Sequence, residues 1–453
     1  MFMANKGDFM KHHLDWSSYE TAGQGDAYAG IPATGGDFAK AVAVCISDKL
    51  CQRKPKGVMC PSFRITDDVQ QSPGGRVLAL KAALNGELGD QPFVHPQLTE
   101  AMDLCVGCKG CKRECANSVD MAAIKIEYQA QRNAISGVPR RDWLFANLPR
   151  WLQYRGLLTK LVAWRNQSPL LKKLGERWLG ISSRRELPQP AEAAYAAPPV
   201  AIGDKPVILF VDTFARHFEP EIAEAAHAVL TSAGYQVQVL SPAATDDEPE
   251  RPLCCGRTWL SLGLVDDARR EAARMLEALR PALESGIPVV GLEPSCILSL
   301  RDEHLKLGLG EAALALAKQV YLFEEFIARE HDRKNMTLNL KPVALPKALV
   351  HGHCHQKAVG AMKSLRKVLR LVPELEFEFI EASCCGMSGS FGLDAEHRDV
   401  SLQMAEADLL PAVRAAGADT ALLANGFSCR HQIEEGAGRK PMHVAVLLRQ
   451  ALG

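Results

Sequence analysis

Four cysteines fall within eleven residues of the stretch DLCVGCKGCKRECANSVDM: Cys105, Cys108, Cys111 and Cys115. Three of them repeat at a spacing of three. A loop with thiolates at i, i+3 and i+6 can wrap three corners of one inorganic centre and take its fourth ligand from elsewhere. A cubane iron–sulfur cluster needs one thiolate per iron, and the run C-x2-C-x2-C-x3-C supplies them. Zinc is the rival, but zinc sites more often pair two cysteines and leave a longer gap before the next pair. The spacing favours the cluster.

In two-cluster ferredoxins the fourth cysteine of such a run serves the other cluster. A second set is therefore required, and CISDKLCQRKPKGVMCPSF offers one. Cys45 and Cys51 are six apart, like the outer pair of C-x2-C-x2-C, with Asp48 in the middle position. Cys60 precedes Pro61, as the crossing cysteine often does; Cys115 precedes Ala116 instead. One centre is expected on Cys105, Cys108, Cys111 and Cys60, and another on Cys45, Cys51 and Cys115. The second has three thiolates. Asp48 either supplies a carboxylate ligand, or the site holds a three-iron cluster, or Asp48 is a solvated loop residue. Oxygen suits these irons less well than thiolate.

The fourteen cysteines form three groups: seven from Cys45 to Cys115, then Cys254, Cys255 and Cys296, then Cys354, Cys384, Cys385 and Cys429. Buried filler cysteines would be scattered. The N-terminal residues lack an apolar signal core, and no apolar run approaches 18 residues. A cytoplasmic protein without a spanning helix is expected. Disulfides are rare there, so the cysteines read as metal or redox ligands. Lys+Arg and Asp+Glu balance at 53 each, which gives no electrostatic reason to bind nucleic acid.

Elements must bring these distant groups together. Residues 140–185 hold four of the six tryptophans and eleven Lys/Arg against two acids. Leu157, Leu158, Leu161 and Val162 recur at helical spacing. Such helices lie on a membrane surface or pack on the cluster domain or a partner subunit, and packing is the favoured expectation. LPQPAEAAYAAPP follows as an interdomain linker. Then PVILFV reads as a buried strand, EPEIAEAAHAVLTSAG as a punctuated helix and YQVQVL as a strand. A wound α/β unit is expected.

That unit repeats. VILFVDT (207–213) aligns with ALVHGHC (348–354), RPLCCG with EASCCG, and VVGLEPSC with ALLANGFSC. Cys254 and Cys384 are 130 residues apart, and Cys296 and Cys429 are 133 apart. Thr213 stands where the second copy has Cys354. A third iron–sulfur or other metal site is expected on Cys354, Cys384, Cys385 and Cys429. His351, His353 and His355 offer imidazoles nearby, but the thiolate count already suffices, and the favoured reading is ordinary loop or strand-end residues. Cys254, Cys255 and Cys296 are expected to form a vestigial or lower-occupancy counterpart. The expected class is α+β and multidomain. An N-terminal tail (1–36) leads to a mostly helical ferredoxin-type domain (37–135). The connector and linker (136–200) and two cysteine-rich lobes (201–335 and 336–453) follow.

The motifs GVMCPSFRIT, CKGCKRECANSVDM, VDTFARHFEPE, GLEPSC, HGHCHQKA, SCCGMSGSFG and NGFSCR carry a family resemblance. The chain resembles the iron–sulfur half of fused FAD-linked oxidase/iron–sulfur proteins of the D-2-hydroxyglutarate and D-lactate dehydrogenase type. It is similar to the iron–sulfur subunits of glycolate oxidase and anaerobic glycerol-3-phosphate dehydrogenase. The paired CCG units look like the cysteine-rich domain of the heterodisulfide reductase B subunit. Ser299 and Gln432 stand where that relative has further cysteines. About 36 residues precede the clusters, too few for a flavin domain. The resemblance then implies two [4Fe-4S] clusters and a separate FAD-linked 2-hydroxyacid dehydrogenase as electron donor. It implies a downstream acceptor, with contact to quinone or the inner membrane face as an option. The alternative is a heterodisulfide-reductase-like catalyst. A third reading, zinc as scaffolding, involves no redox chemistry.

Overall fold

The computed structural model describes residues 10–22, 30–53, 57–200 and 203–453. Part of the expected N-terminal tail, residues 1–9 and 23–29, lies outside them. The chain is α+β: helices dominate, and two small sheets carry the C-terminal half.

The first sheet contains β1 (Lys205–Phe210), β2 (Tyr235–Val239), β3 (Val289–Gly291) and β4 (Val320–Leu322), ordered β2-β1-β3-β4. The second contains β5 (Lys347–His351), β6 (Glu376–Phe379) and β7 (Thr420–Ala424), ordered β6-β5-β7. Every pairing is parallel. Parallel neighbours need long crossovers, and helices provide them here. β1 shows the consequence: Val207, Ile208, Leu209 and Phe210 are all buried, an unbroken apolar run with cover on both faces.

The two sheets share one plan. β2-β1-β3 matches β6-β5-β7 in order and connection. The partner of β4 is reduced to one parallel bridge between Leu423 and Met442. The helix Pro220–Ser232 after β1 packs on the last helix of the chain, Val444–Leu452. Its counterpart after β5, Met362–Leu369, packs on Phe323–Asp332. These two contacts are the same contact seen from either copy, so the repeats face each other across an approximate two-fold. One apolar cluster spans both, from Val207 and Leu230 to Val350 and Leu448.

The connector forms helices at Arg140–Ala146, Leu148–Trp151, Arg155–Gln167 and Pro169–Leu179. The Pro/Ala stretch after them is docked on the first repeat. Ala191 N–H donates to His217 O at 2.8 Å, Tyr195 N–H to Arg216 O at 2.8 Å, and Tyr195 is buried. Arg185 is buried as well and donates to Gly392 O at 2.9 Å and Gln432 Oε1 at 2.7 Å. The connector is thereby fixed to the second repeat. Residues 10–22 are also packed: Glu127 accepts from Leu14 N–H at 2.9 Å and from Trp16 Nε1 at 3.1 Å.

Candidate metal centres

The loop Cys105–Cys111 takes positive φ at Gly107 (57°) and Lys109 (61°). Alternating right- and left-handed residues form a concave nest of N–H groups, a shape that suits anionic centres and many iron–sulfur sites. A helix, Gly110–Glu114, begins at once. Cys60 reaches the same place from a different segment. Glu114 clamps that segment by accepting from Val58 N–H at 2.7 Å and Met59 N–H at 3.0 Å. Gly110 allows the approach, because a methyl there would lie 2.8 Å from Met59 N. Cys60, Cys105, Cys108 and Cys111 line one small buried cavity.

Arg76 lies at that cavity too. It donates to Cys60 Sγ at 3.4 Å, Ser62 Oγ at 2.8 Å and Ala101 O at 2.8 Å. Burial would raise the Cys60 thiol, but the Arg76 guanidinium brings it below its ordinary value. Burial raises Cys108 and Cys111 well above theirs, and the crowded neighbouring thiols add to it. Thiolate charge at Cys108 and Cys111 is therefore opposed unless cations lie between the sulfurs. Iron fits that donor set, with Cys60, Cys105, Cys108 and Cys111 to hold it.

The loop Cys45–Cys51 repeats the backbone of Cys105–Cys111 position by position. Ser47 (φ 61°) stands for Gly107, Lys49 (φ 59°) for Lys109, and Asp48 for Cys108. A single turn, Leu50–Gln52, follows, as a helix follows Lys109. Cys45 lies within electrostatic reach of Cys115 and Asp48, and Cys51 within reach of Cys45. Cys115, followed by Ala116, therefore goes to the 45–51 loop while Cys60 goes to 105–111, a crossing. The Asp48 carboxylate accepts from Leu50 N–H at 3.0 Å, and its side chain is half-buried. Gly74 N–H, at the start of the helix Pro73–Leu84, points at Cys51. Burial raises both Cys45 and Cys51.

In the second repeat Cys354 follows β5 and Cys429 follows β7. Both sit at the carboxyl ends of parallel strands, where open α/β sheets bind ligands. Cys384 and Cys385 meet them in a chain of sulfur contacts, Cys354 to Cys384 and Cys385 to Cys429. Lys357 lies within electrostatic reach of all four. The first repeat has the same chain with one member exchanged. Cys255 contacts Cys296, and Thr213 hydrogen-bonds Cys254 where Cys354 would stand. The hydrogen bond with Cys255 lowers Cys296, but burial and the Asp212 and Glu293 carboxylates outweigh it and hold it at about 12. That surrounding disfavours a thiolate.

Ser299 and Gln432 are structural. Ser299 Oγ donates to Ser295 O at 2.7 Å, and Gln432 links Arg185 to Ser401 O. His353 caps its helix through His355 N–H at 3.1 Å, and His355 Nε2 lies 3.2 Å from Gly107 O. His351 is buried.

The 105–111 loop is held between the two repeats. Ser388 Oγ donates to Val106 O at 2.6 Å from one side. Lys109 Nζ pairs with Asp302 at 2.8 Å and Glu303 at 2.7 Å from the other. Cys108 is within electrostatic reach of both Cys354 and Cys384. Arg76, Glu114 and Lys109 were not singled out from the sequence. Lys109 and Glu114 flank the cysteine run, but their partners are fixed only by folding.

No family model matches the chain. It is 29% identical over 290 residues to the C subunit of anaerobic glycerol-3-phosphate dehydrogenase from Escherichia coli (strain K12), covering 62% of this chain and 69% of that relative. It is 24% identical over 468 residues to D-2-hydroxyglutarate dehydrogenase of Pseudomonas putida, covering 92% of this chain and 44% of the relative. To lactate utilization protein A of Bacillus subtilis (strain 168) it is 27% identical over 248 residues, covering 53% of this chain and 95% of the relative. The chain is thus a homologue of dehydrogenases and a dehydrogenase subunit, the group its cysteine motifs resemble.

Proposed function

We propose that this chain is an iron–sulfur electron-transfer subunit of a dehydrogenase complex. Its donor is a separate FAD-linked 2-hydroxyacid dehydrogenase of the D-lactate, glycolate or 2-hydroxyglutarate type. Its place is the cytoplasm or the inner face of the cell membrane. One observation carries the reading: Cys60 closes the cavity of the 105–111 loop while Cys115 turns to the 45–51 loop. This crossed pairing is the arrangement of two-cluster ferredoxins.

When bound, iron–sulfur clusters supply one-electron transfer that a flavin can feed. The chain's own residues do the rest. Cys60, Cys105, Cys108 and Cys111 hold one centre, and Cys45, Cys51, Cys115 and Asp48 surround the second. Cys354, Cys384, Cys385 and Cys429 hold the third. Cys254, Cys255 and Cys296, beside Thr213, are the weakest set. The proximity of Cys108 to the Cys354 side keeps the first and third close. Burial excludes water from the first and third, the second being flanked by the half-buried Asp48 and Cys115, and Arg76 offsets negative charge at the first. The similarity to a dehydrogenase and to a dehydrogenase subunit supports a dehydrogenase partner.

Anaerobic purification with iron and sulfide analysis tests the reading. About eight irons per chain correspond to two cubanes and about twelve to three. A colourless, zinc-loaded protein would refute it, as would failure to co-purify with any flavoprotein.

A further inference from the structure

Three side chains of the second repeat end on main-chain carbonyls of the first centre's cage. Ser383 Oγ donates to Val58 O, just ahead of Cys60. Ser388 Oγ donates to Val106 O at 2.6 Å, and His355 Nε2 lies 3.2 Å from Gly107 O. Both carbonyls belong to the turn between Cys105 and Cys108. A carbonyl oxygen only accepts, so the His355 proton sits on Nε2. His355 Nδ1 is buried with no hydrogen-bond partner among the described residues. The Gly107 contact is therefore the ring's one hydrogen bond among them.

Two of the three contacts lead straight to the third centre. Ser383 precedes Cys384, and His355 follows Cys354. Each joins the first cage to a cysteine of the third by one hydrogen bond and a short covalent stretch. Cys354 and Cys384 also lie within electrostatic reach of Cys108. Ser388 has no cysteine beside it and adds no such link. The duplication separates the two kinds of contact. In the register that aligns the repeats, His355 corresponds to Phe214, Ser383 to Leu253 and Ser388 to Thr258. The first repeat lacks the fourth cysteine, and of these three donors it keeps only the one with no cysteine beside it. Seating the loop gives no reason for the donors to follow the cysteine count. Lys109, paired with Asp302 and Glu303, already seats it.

We propose that His355 and Ser383 are the electron bridge between the first and third centres. Tunnelling decays less along covalent bonds and hydrogen bonds than across a gap of the same length. The two donors thus set the rate at which charge crosses from the cluster loop to the second repeat. They act through the carbonyls they hold and are positioning residues, not ligands. The inference rests on the electron-transfer reading above and names the residues that carry charge inside the chain. In each event one electron leaves the cage of Cys60, Cys105, Cys108 and Cys111 and enters that of Cys354, Cys384, Cys385 and Cys429. The first is oxidised by one electron and the third reduced by one, with no proton moved and no bond broken. The flavoprotein partner is the reductant that restores the first.

The test uses the full-length chain loaded with iron and sulfide under anaerobic conditions. Flash-photoreduced deazaflavin supplies single electrons, and rapid-freeze EPR follows their arrival at the third centre. His355→Phe combined with Ser383→Ala should slow arrival at least tenfold at unchanged iron content. His355→Gln and Ser383→Thr each keep a donor and should transfer at the parent's rate. With both centres reduced, the magnetic broadening between them should be the same in every protein, because Lys109 and Ser388 still seat the loop. Slower arrival with altered broadening would mean a changed spacing and overturn the bridge. Parent-like arrival in the double variant would overturn it too, as would equal slowing in the donor-keeping variants. Should the double variant fail to load, each single variant is compared with its donor-keeping pair, and the same outcomes decide. The reading it rests on is tested separately. If the parent holds three centres and arrival is unaffected by the substitutions, the bridge alone fails. If it holds none on the second repeat, the third centre fails and the bridge with it.

Discussion

The Arg76 guanidinium lies 3.4 Å from the sulfur of Cys60, and both residues are buried. Burial works against its charge, but Cys105, Cys60 and Cys111 around it hold it charged. A fixed cation beside a cluster stabilises the reduced form. A unit charge about 4 Å away in a medium of effective dielectric about 20 is worth at most roughly 4 kcal/mol, on the order of 180 mV for one electron. Arg76→Gln should lower one cluster potential by about that scale in an EPR-monitored redox titration. Arg76→Lys should recover part of it. Equal potentials in all three proteins would remove Arg76 from this role.

Asp48 holds the position in its loop that Cys108 holds in the other, on matching backbone. A thiolate there completes a four-cysteine set. Asp48→Cys should retain its fourth iron on brief air exposure, where the parent sheds iron and shows the EPR signal of an oxidised three-iron centre. Identical iron loss in parent and variant would count against a ligand position at residue 48.

Thr213 is the single exchange that separates the first repeat's cysteine set from the second's. Thr213→Cys should increase bound iron and visible absorbance. Cys354→Thr should remove the corresponding content from the second repeat. The gain should be partial, since the Asp212 and Glu293 carboxylates beside Cys296 oppose thiolate charge.

His397 bridges Asp103, beside the 105–111 loop, and Asp394 of the second repeat, at 3.0 and 3.1 Å. Arg141 also faces Asp394, at 3.1 Å. Burial lowers the imidazole, but hydrogen bonds to the two carboxylates overcome it and hold it at about 9. The folded value exceeds the unfolded one, so the contribution is full below about pH 6.5 and is lost as pH rises through 9. Asp103 is half-exposed, which reduces the effect to about 1–2 kcal/mol. Thermal melts should fall between pH 7 and 9.5, and His397→Gln should flatten that dependence. A parent protein with a flat profile would contradict this.

Much of the chemistry was legible in the residues. Thiolate spacing is a local property, and C-x2-C-x2-C forces a wrapping loop whatever surrounds it. The repeat was legible because strand, helix and cysteine landmarks recur in register, and the matching sheet orders carry it into three dimensions. A wound α/β unit was expected because helices separate the apolar runs, and its strands pair in parallel. The Pro/Ala stretch was read as a spacer from composition alone, and its docking through Tyr195 depends on neighbours that composition does not report.

Only the tertiary structure decided which distant groups meet. Arg76 comes to Cys60 across sixteen residues. Lys109 reaches Glu303 across 194. Phe214 and Phe427 close one cavity from two repeats. A side chain's type and spacing are fixed covalently. The charge, dielectric and cavity around it are set by packing between segments that share no local signal.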